Sequence, residues 1–249
     1  MKEDTLVFSI ALNGYQWRYR QHIKSHQAYA KRLGYHYQVI TKPFFSSLGI
    51  ECCWLKLTLM HIALTSGYEY VVFIDADAVI KPCCPPIEEV LEVGKHLYMA
   101  KGYSNRFNSG VMIVRNCRLI RHWIEKVIAN RANSVDKASN VGWGENSHII
   151  QFSRGCRFIK ELPLRWNNTS DPRLNDFIRH QNFGPLRTNF WDNLLHKVIF
   201  CLADRLAKLA NLPHPAKHQF ANERLLIEET QLILRLYPSF NRAMVPHNK

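Results

Sequence analysis

The stretch YVVFIDADAVIKP, Tyr70 to Pro82, decides the fold expected for this chain. Its first half is a continuous apolar run, which is typical of a strand buried on both faces of a parallel sheet. Two acids, Asp75 and Asp77, follow the run with only Ala76 between them. Because ligands of open α/β sheets bind beyond the carboxyl ends of the strands, both carboxylates are expected at a binding edge.

The spacing of the two acids predicts a metal site. A strand that turns after Asp75 can bring both carboxylates close to one hard cation. Two such acids would repel each other unless a divalent metal neutralised them. Carboxylate oxygens suit Mg²⁺ or Mn²⁺, which commonly bridge to substrate phosphates. The bland alternative is that Asp75 caps a turn and Asp77 faces water.

Strand and helix patterns alternate around this run. Residues 5–13 predict a first strand that is closed by a turn at Asn13 and Gly14. Strand, helix, strand, helix, strand in succession indicates a parallel α/β sheet. The other predicted segments are helices over 19–33, with Ile23, Ala30 and Leu33 toward the core, and over 54–66, 87–94, 117–130 and 143–154, and strands over 36–41, 97–102, 109–116, 156–163 and 176–180.

Composition favours a globular chain with one main core. Hydrophobic residues make up 47% and aromatic residues 12% of the 249, which excludes an intrinsically disordered chain. From about residue 189 the pattern becomes helical. We therefore expect an α/β domain at 1–188 and a C-terminal helical extension at 189–249. No apolar stretch reaches the roughly 20 residues that span a bilayer, and no secretory signal opens the chain.

The formal net charge of +13 suits an anionic partner. A nucleic acid is not expected, because the sequence has no zinc-finger spacing, RNP-like aromatic motif or basic run. A phosphorylated substrate or an acidic membrane surface remains. The predicted helix over 191–212 carries Lys197, Arg205 and Lys208 beside an apolar stripe, so it either lies on a membrane or packs on the domain. Seven cysteines without CxxC spacing favour a reduced, cytoplasmic setting, which includes the inner face of a membrane.

Several motifs together carry a family resemblance. FIDADAVI resembles the DxD segment of GT-A fold glycosyltransferases, which use nucleotide sugars. NSGVMIVRN, residues 108–116, resembles the strand that borders the sugar and acceptor in that family. WGENSHII lies where these enzymes carry an acid or amide pair at a helix start. HQNFGPLR, residues 180–187, resembles the late HxxGxxK element, with one extra residue and with Arg in place of Lys.

The resemblance covers roughly residues 5–187 and is greatest to retaining enzymes of the glycogenin and galactosyltransferase type, with α-galactosyl-, α-mannosyl- and xylosyltransferases also similar. It implies a GT-A fold, with a mixed, mainly parallel sheet flanked by helices. It also implies transfer of a hexose or pentose from a UDP-sugar to a glycan or lipid-linked acceptor. Asp75, Asp77 and His180 would bind Mn²⁺ or Mg²⁺, and Gly184 and Arg187 would lie at the diphosphate.

The resemblance implies further roles. The residues expected at the nucleotide or sugar are Ala11, Asn13, Gly14, Lys56, Ala76, Ser109 and Gly110. The residues expected at the reacting carbon are Asn108, Glu145 and Asn146. Trp166 and Asn167 are plausible acceptor residues, because aromatic faces stack on sugar rings. The same residues also fit ordinary structural roles: a turn, a solvated lysine, an acid in the first turn of a helix and a core tryptophan.

Three other function classes compete with the transferase. The first is a GT-A-like module that binds a nucleotide or glycan without turnover, which predicts that one of Asp75, Asp77 or His180 does not ligate metal. The second is a protein that binds a membrane surface. The third is a phosphatase with Asp75 as nucleophile. That motif usually follows the first strand of a chain, whereas two strands are predicted before Asp75 here.

Overall fold

The computed structural model describes residues 4–142, 144–182, 185–186, 194, 198, 202 and 223–242. Within these residues the strands, in chain order, are β1 (Thr5–Ile10), β2 (His36–Ile40), β3 (Tyr70–Ile74), β4 (Ala78–Ile80), β5 (Leu97–Ala100), β6 (Val111–Arg115), β7 (Ile159–Leu162) and β8 (Ile178–His180). The α-helices are α1 (Tyr15–Arg18), α2 (Arg20–Leu33), α3 (Leu55–Thr65), α4 (Arg118–Ala129), α5 (Asn146–Ser153) and α6 (Glu223–Leu236).

Six of the strands form one mixed sheet in the order β2-β1-β3-β6-β5-β7. β1 pairs in parallel with β2 and β3, and β5 pairs in parallel with β7. β6 runs antiparallel to both of its neighbours. The carboxyl ends of β1, β2 and β3 therefore lie at one edge, as the order of predicted elements requires. The α/β class and the mainly parallel sheet are confirmed.

The apolar run of β3 is buried on both faces because its side chains alternate between two core clusters. Val71 and Phe73 belong to a cluster with residues of α3, α4 and α6. Val72 and Ile74 belong to a second cluster, which includes residues of α2. Helices thus cover both faces of the sheet, which is why this strand needs no polar residue before Asp75.

Helix α2 ends where the sequence predicts, at Gly34, which has a left-handed φ of 73°. Ala30 is buried as predicted, and the half-buried Ile23 and Leu33 pack against core clusters. His26 and Tyr29 are buried in addition. The prediction failed at His26 because a histidine reads as polar, yet both ring nitrogens have partners in the core. Nδ1 lies 2.9 Å from Ser9 Oγ, and Nε2 lies 2.7 Å from the carbonyl oxygen of Ala78.

Two late elements differ from their predicted form. The helix expected over 87–94 is a single 3₁₀ turn, Ile87–Val90, because Leu91 adopts an extended conformation. The strand expected over 176–180 does not join the main sheet. As β8 it pairs with β4, a short strand directly after the two acids that the sequence pattern did not separate from β3. This small second sheet is what determines the candidate site.

The described C-terminal residues pack into the main core. Leu226, Ile233 and Phe240 are members of the cluster on the α3 and α4 side. α6 lies in the C-terminal region where the sequence pattern predicts helices. Most of the predicted helix over 191–212 lies outside the described residues, although Leu194, Val198 and Leu202 are described as helical and exposed. The domain boundary at 188 stays a prediction.

Phe240→Ala should lower the free energy of unfolding by about 3–5 kcal/mol, because it removes a fully buried ring. That ring packs edge-to-face on Phe8 with 5.2 Å between centroids. Leu236→Ala is the control: this side chain is 45% exposed, so a change within about 0.5 kcal/mol is expected. Urea unfolding followed by circular dichroism measures both. Similar small changes in the two variants would show that Phe240 contributes little to the core.

Candidate metal and sugar-donor site

A tight turn follows β3 at the first acid. The backbone N–H of Asp75 donates to the carbonyl of Gly110 at 2.8 Å, and the N–H of Ala78 donates to the Asp75 carbonyl at 3.0 Å. The chain therefore reverses within three residues and starts β4. The N–H of Gln181 then donates to the Asp77 carbonyl at 3.0 Å. In this register Ala78 lies opposite His180.

Pairing of β4 with β8 brings together three groups that can ligate a metal. One ligand atom each from Asp75, Asp77 and His180 lies within 4.8 Å of the others. His180 Nε2 is 3.1 Å from Asp77 Oδ1 and 3.6 Å from Asp75 Oδ2. Asp77 and His180 are buried, whereas the Asp75 side chain is 33% exposed. The cluster is thus anchored in the core and reaches solvent through Asp75.

Asn167 orients the imidazole of His180. The Asn167 side chain is fully buried, and its Nδ2 donates to the carbonyl and the side-chain oxygen of Asn108 at 3.2 and 2.9 Å. Its Oδ1 therefore faces His180 Nδ1, 2.9 Å away, as an acceptor. We assign the imidazole proton to Nδ1 on this basis. The lone pair of Nε2 then points toward the carboxylates, which is the tautomer a metal ligand needs.

Gly110 leaves room for this arrangement. A Cβ placed on Gly110 would lie 2.1 Å from Cε1 of His180 and 2.8 Å from Oδ2 of Asp75. Backbone therefore approaches both groups more closely than any side chain would allow. The donor set of two carboxylate oxygens and one imidazole nitrogen suits Mn²⁺ and also accepts Mg²⁺. The residues present fit a divalent metal.

A buried ion pair lies behind the three ligands. Lys56 Nζ is 2.6 Å from Glu145 Oε1 and 3.7 Å from Asp75 Oδ1, and both Lys56 and Glu145 are buried. Ser109 Oγ donates to the same Glu145 oxygen at 2.7 Å. The ammonium also lies over the Phe73 ring, 4.4 Å from its centroid. One cation thus compensates two of the acids at this end of the sheet.

The pKa shifts follow from these contacts. Burial raises the pKa of Asp75, with Lys56 opposing the rise. Burial acts the same way on Glu145, but there the Lys56 charge together with hydrogen bonds from Lys56, Ser109 and Cys53 outweighs it, and the pKa is lowered. Burial would lower the pKa of Lys56, but the carboxylates of Asp75 and Glu145 raise it. Glu145 and Lys56 are therefore both charged at neutral pH.

The NSG segment, Asn108 to Gly110, lies against the metal-ligand cluster. Asn108 Oδ1 accepts from the Gly110 N–H at 3.0 Å, which closes a tight turn before β6. Asn146 Oδ1 accepts from the Ser109 N–H at 2.9 Å, and Asn146 Nδ2 donates to the Phe107 carbonyl at 3.3 Å. The start of α5 and the NSG turn are thus joined directly. The structure thus brings together four residues that the family resemblance singled out: Asn108, Ser109, Gly110 and Asn146.

The predicted nucleotide residues lie at the end of β1. Ala11 is fully buried, and Asn13 and Gly14 have left-handed φ values of 56° and 93°. Asn13 does more than turn the chain, because its side chain bonds to the segment after β2: Oδ1 accepts from Ser46 N and Nδ2 donates to Gly49 O. Ala76 is buried between the two acids. Contact of any of these with a nucleotide stays a prediction.

The predicted acceptor residues have interior settings. Trp166 is buried, 5.6 Å between centroids from Phe177, and Asn167 is the partner of His180 described above. Neither presents a surface to an acceptor in this conformation, and the acceptor role stays a prediction. Gly184 and Arg187 lie outside the described residues. Sequence reasoning missed His26, which bonds the carbonyl directly after Asp77, because nothing in the spacing of α2 and β4 signals that contact.

Comparison with solved structures identifies the fold. A glycosyltransferase involved in glycosylation of the major capsid of PBCV-1 superposes with a TM-score of 0.57 at 12% identity, over 74% of this chain and 96% of that one. The apo form of the glycosyltransferase GlyE of Streptococcus pneumoniae TIGR4 gives 0.50 at 13% identity, over 87% of this chain and 66% of that one. Identities this low show a shared fold and no more. The chain has the GT-A glycosyltransferase fold, as the sequence motifs predicted.

Sequence comparison adds nothing to this result. No protein-family model matches the chain, and no curated protein matches it.

Gly110→Ala should weaken Mn²⁺ binding, because the added methyl would displace His180 or Asp75. Changes that disturb the orientation of metal ligands typically weaken affinity by about 10- to 100-fold. Gly94→Ala is the control: unlike Gly110, Gly94 has a positive φ of 77°, so this variant carries backbone strain, but nothing lies within 4 Å of the added Cβ. Isothermal titration with Mn²⁺ measures both variants. Wild-type affinity in Gly110→Ala would contradict the assigned cluster.

Mn²⁺ affinity should fall on acidification. Burial lowers the pKa of His180, but the carboxylates of Asp77 and Asp75 together outweigh it, so the pKa is raised above the usual 6.5. A metal must displace the proton that His180 takes up below this pKa. As the pH is lowered, Mn²⁺ affinity should therefore already begin to fall before pH 6.5 is reached. Titrations from about pH 8 to about pH 5.5 measure the profile. His122→Gln, which changes a histidine with 76% exposure, should leave it unaltered. A flat profile in the wild type would exclude His180 as a ligand.

Proposed function

We propose that this protein is a metal-dependent glycosyltransferase. It moves a hexose or pentose from a nucleotide sugar, a UDP-sugar in the first instance, to a glycan or lipid-linked acceptor. The observation that carries the proposal is the convergence of Asp75, Asp77 and His180 at the carboxyl edge of β3, within a glycosyltransferase fold. An inactive binding module would tolerate loss of one ligand, and here all three are present and oriented.

The metal would be held by Asp75, Asp77 and His180. When bound, Mn²⁺ or Mg²⁺ supplies Lewis-acid stabilisation of the negative charge on the departing diphosphate. Asn167 keeps His180 Nε2 free for this role. Asp75, as the exposed member, leaves the open side of the cluster for the phosphates. Gly184 and Arg187 are proposed to complete the diphosphate site, as the family resemblance implies.

Retention of configuration is proposed from the family resemblance. Glu145 Oε1 is shared by Lys56 and Ser109, which makes this carboxylate a weak nucleophile toward the sugar. We therefore favour a route in which the departing diphosphate, and not an enzyme carboxylate, guides the acceptor. Glu145 would then stabilise positive charge on the sugar through space, while Lys56 keeps the total charge of the buried acids low.

A cytoplasmic position at the inner face of a membrane is a further part of the proposal. The six described cysteines are free, which fits a reducing compartment. No described helix combines the length and the apolar character that a membrane crossing requires. A peripheral contact is supported by the net charge of +13 and by Leu194, Val198 and Leu202, exposed at intervals of four residues. Such a contact would suit a lipid-linked acceptor.

Asp75→Asn and Asp77→Asn should each reduce Mn²⁺-dependent release of UDP from the preferred UDP-sugar on the order of 100-fold or more, since a bound metal contributes several kcal/mol to such steps. Asp136→Asn is the control, because Asp136 is exposed and its carboxylate pairs with Arg154. A screen of UDP-sugars with Mn²⁺, and with chelator, measures turnover. Full activity of both variants under chelation would overturn the metal mechanism. Binding without turnover in the wild type would favour the inactive module.

A further inference from the structure

The segment between β2 and α3 starts at the binding edge of the sheet. It follows the carboxyl end of β2, which lies beside the end of β1, and β1 lies beside β3. Ligands of α/β sheets bind at this edge. Asn13, at the end of β1, holds it from one side through Ser46 N at 2.8 Å and Gly49 O at 2.9 Å. We refer to residues 41–50 as the β2–α3 loop.

Helix α6 holds the same loop from the other side through Glu229. The Glu229 carboxylate is 3% exposed. Its Oε1 accepts from Ser46 Oγ, and its Oε2 accepts from both the N–H, at 2.8 Å, and the Oγ of Ser47. Among the described residues no cationic nitrogen lies within 4.0 Å of it. The loop itself therefore supplies the hydrogen bonds that compensate this buried charge.

A second contact from the C-terminal segment secures the start of the loop. Tyr237 Oη accepts from the N–H groups of Thr41 and Lys42, both at 2.9 Å. Backbone N–H groups in a loop normally bond to water or to a neighbouring strand. Here they bond to side chains of Tyr237 and Glu229, far along the chain, and these bonds define the path of the loop. Hydrogen bonds to a carboxylate are stronger than those to a neutral group.

We infer that Glu229 is a positioning residue. It holds the β2–α3 loop in the conformation that bonds to Asn13, a residue predicted to lie at the nucleotide sugar. Its consequence for turnover rests on the proposed function. When Glu229 releases the loop, Ser46 and Gly49 no longer hold Asn13 in place. Because none of the hydrogen bonds of Asp75 and His180 among the described residues goes to the loop, the defect should fall on KM for the nucleotide sugar and not on kcat.

Glu229→Gln tests the inference with little change in shape. The amide oxygen can replace only one carboxylate oxygen, and the amide nitrogen in the other place only donates, so the charged hydrogen bonds that Glu229 accepts become neutral or are lost. Hydrogen–deuterium exchange of the peptide spanning 41–50 should accelerate about 10- to 100-fold, the expected effect of losing a charged hydrogen bond. The KM for the UDP-sugar should rise by a similar factor, with kcat changed less than about threefold.

Two neighbours on α6 supply matched controls. Glu228 is adjacent but exposed and pairs with Arg224, so Glu228→Gln should leave exchange of the loop unchanged. Thr230 bonds to Thr58 of α3 at 2.9 Å, so Thr230→Val loosens the helix without touching the loop. Should Glu229→Gln fold poorly, Ser47→Ala removes one hydroxyl donor from the loop side and should also accelerate exchange. Circular dichroism verifies the fold of each variant.

The outcomes separate the inference from the proposed function. Unchanged loop exchange in Glu229→Gln, or equal acceleration in Thr230→Val, would overturn the positioning role. Accelerated exchange with a fall in kcat and a constant KM would also overturn it. If the wild type turns over no UDP-sugar, the proposed function fails, while loop exchange in the same variants still decides whether Glu229 holds the loop. Faster exchange of the loop in Glu229→Gln and Ser47→Ala, and in neither control, supports the positioning role of Glu229.

Discussion

The pairing of β4 with β8 is the contact on which the candidate site depends. It sets Ala78 opposite His180 and so carries an imidazole from late in the chain to the acids after β3. A slip of one residue would turn His180 to the other face, since side chains alternate along a strand. The hydrogen bond from the Gln181 N–H to the Asp77 carbonyl fixes the register of this pair. A second bond, from His26 to the carbonyl of Ala78, holds β4 against α2.

Charge balance is the second constraint at this end of the sheet. Three acids lie close together, and burying them unpaired would be costly. Lys56 compensates Glu145 and Asp75 from α3, and His180 lies against Asp77. The same arrangement leaves the exposed side of Asp75 available to a cation. One set of contacts thus balances the buried charges and leaves a place for the proposed metal.

The described residues of the C-terminal segment pack against the core beside the main sheet. Phe240 fills the core beside Phe8, and Glu229 compensates its charge with donors from the β2–α3 loop. A sequence pattern can predict that α6 is a helix, because its apolar spacing is local. It cannot predict that a glutamate on that helix is buried, because glutamate is usually solvated and the serines that bond to it are far away in the chain.

The sequence by itself determined the parallel α/β core, the position of Asp75 and Asp77 at a strand end, and the resemblance that singled out His180. These follow from short-range patterns: an apolar run, acids one residue apart, and glycine at a helix end. The tertiary structure alone decided that β8 leaves the main sheet, that Asn167 orients His180 within the core, and that Lys56 and Glu145 bond to each other. Such contacts join residues far apart in the chain, and only the packed fold sets their distances.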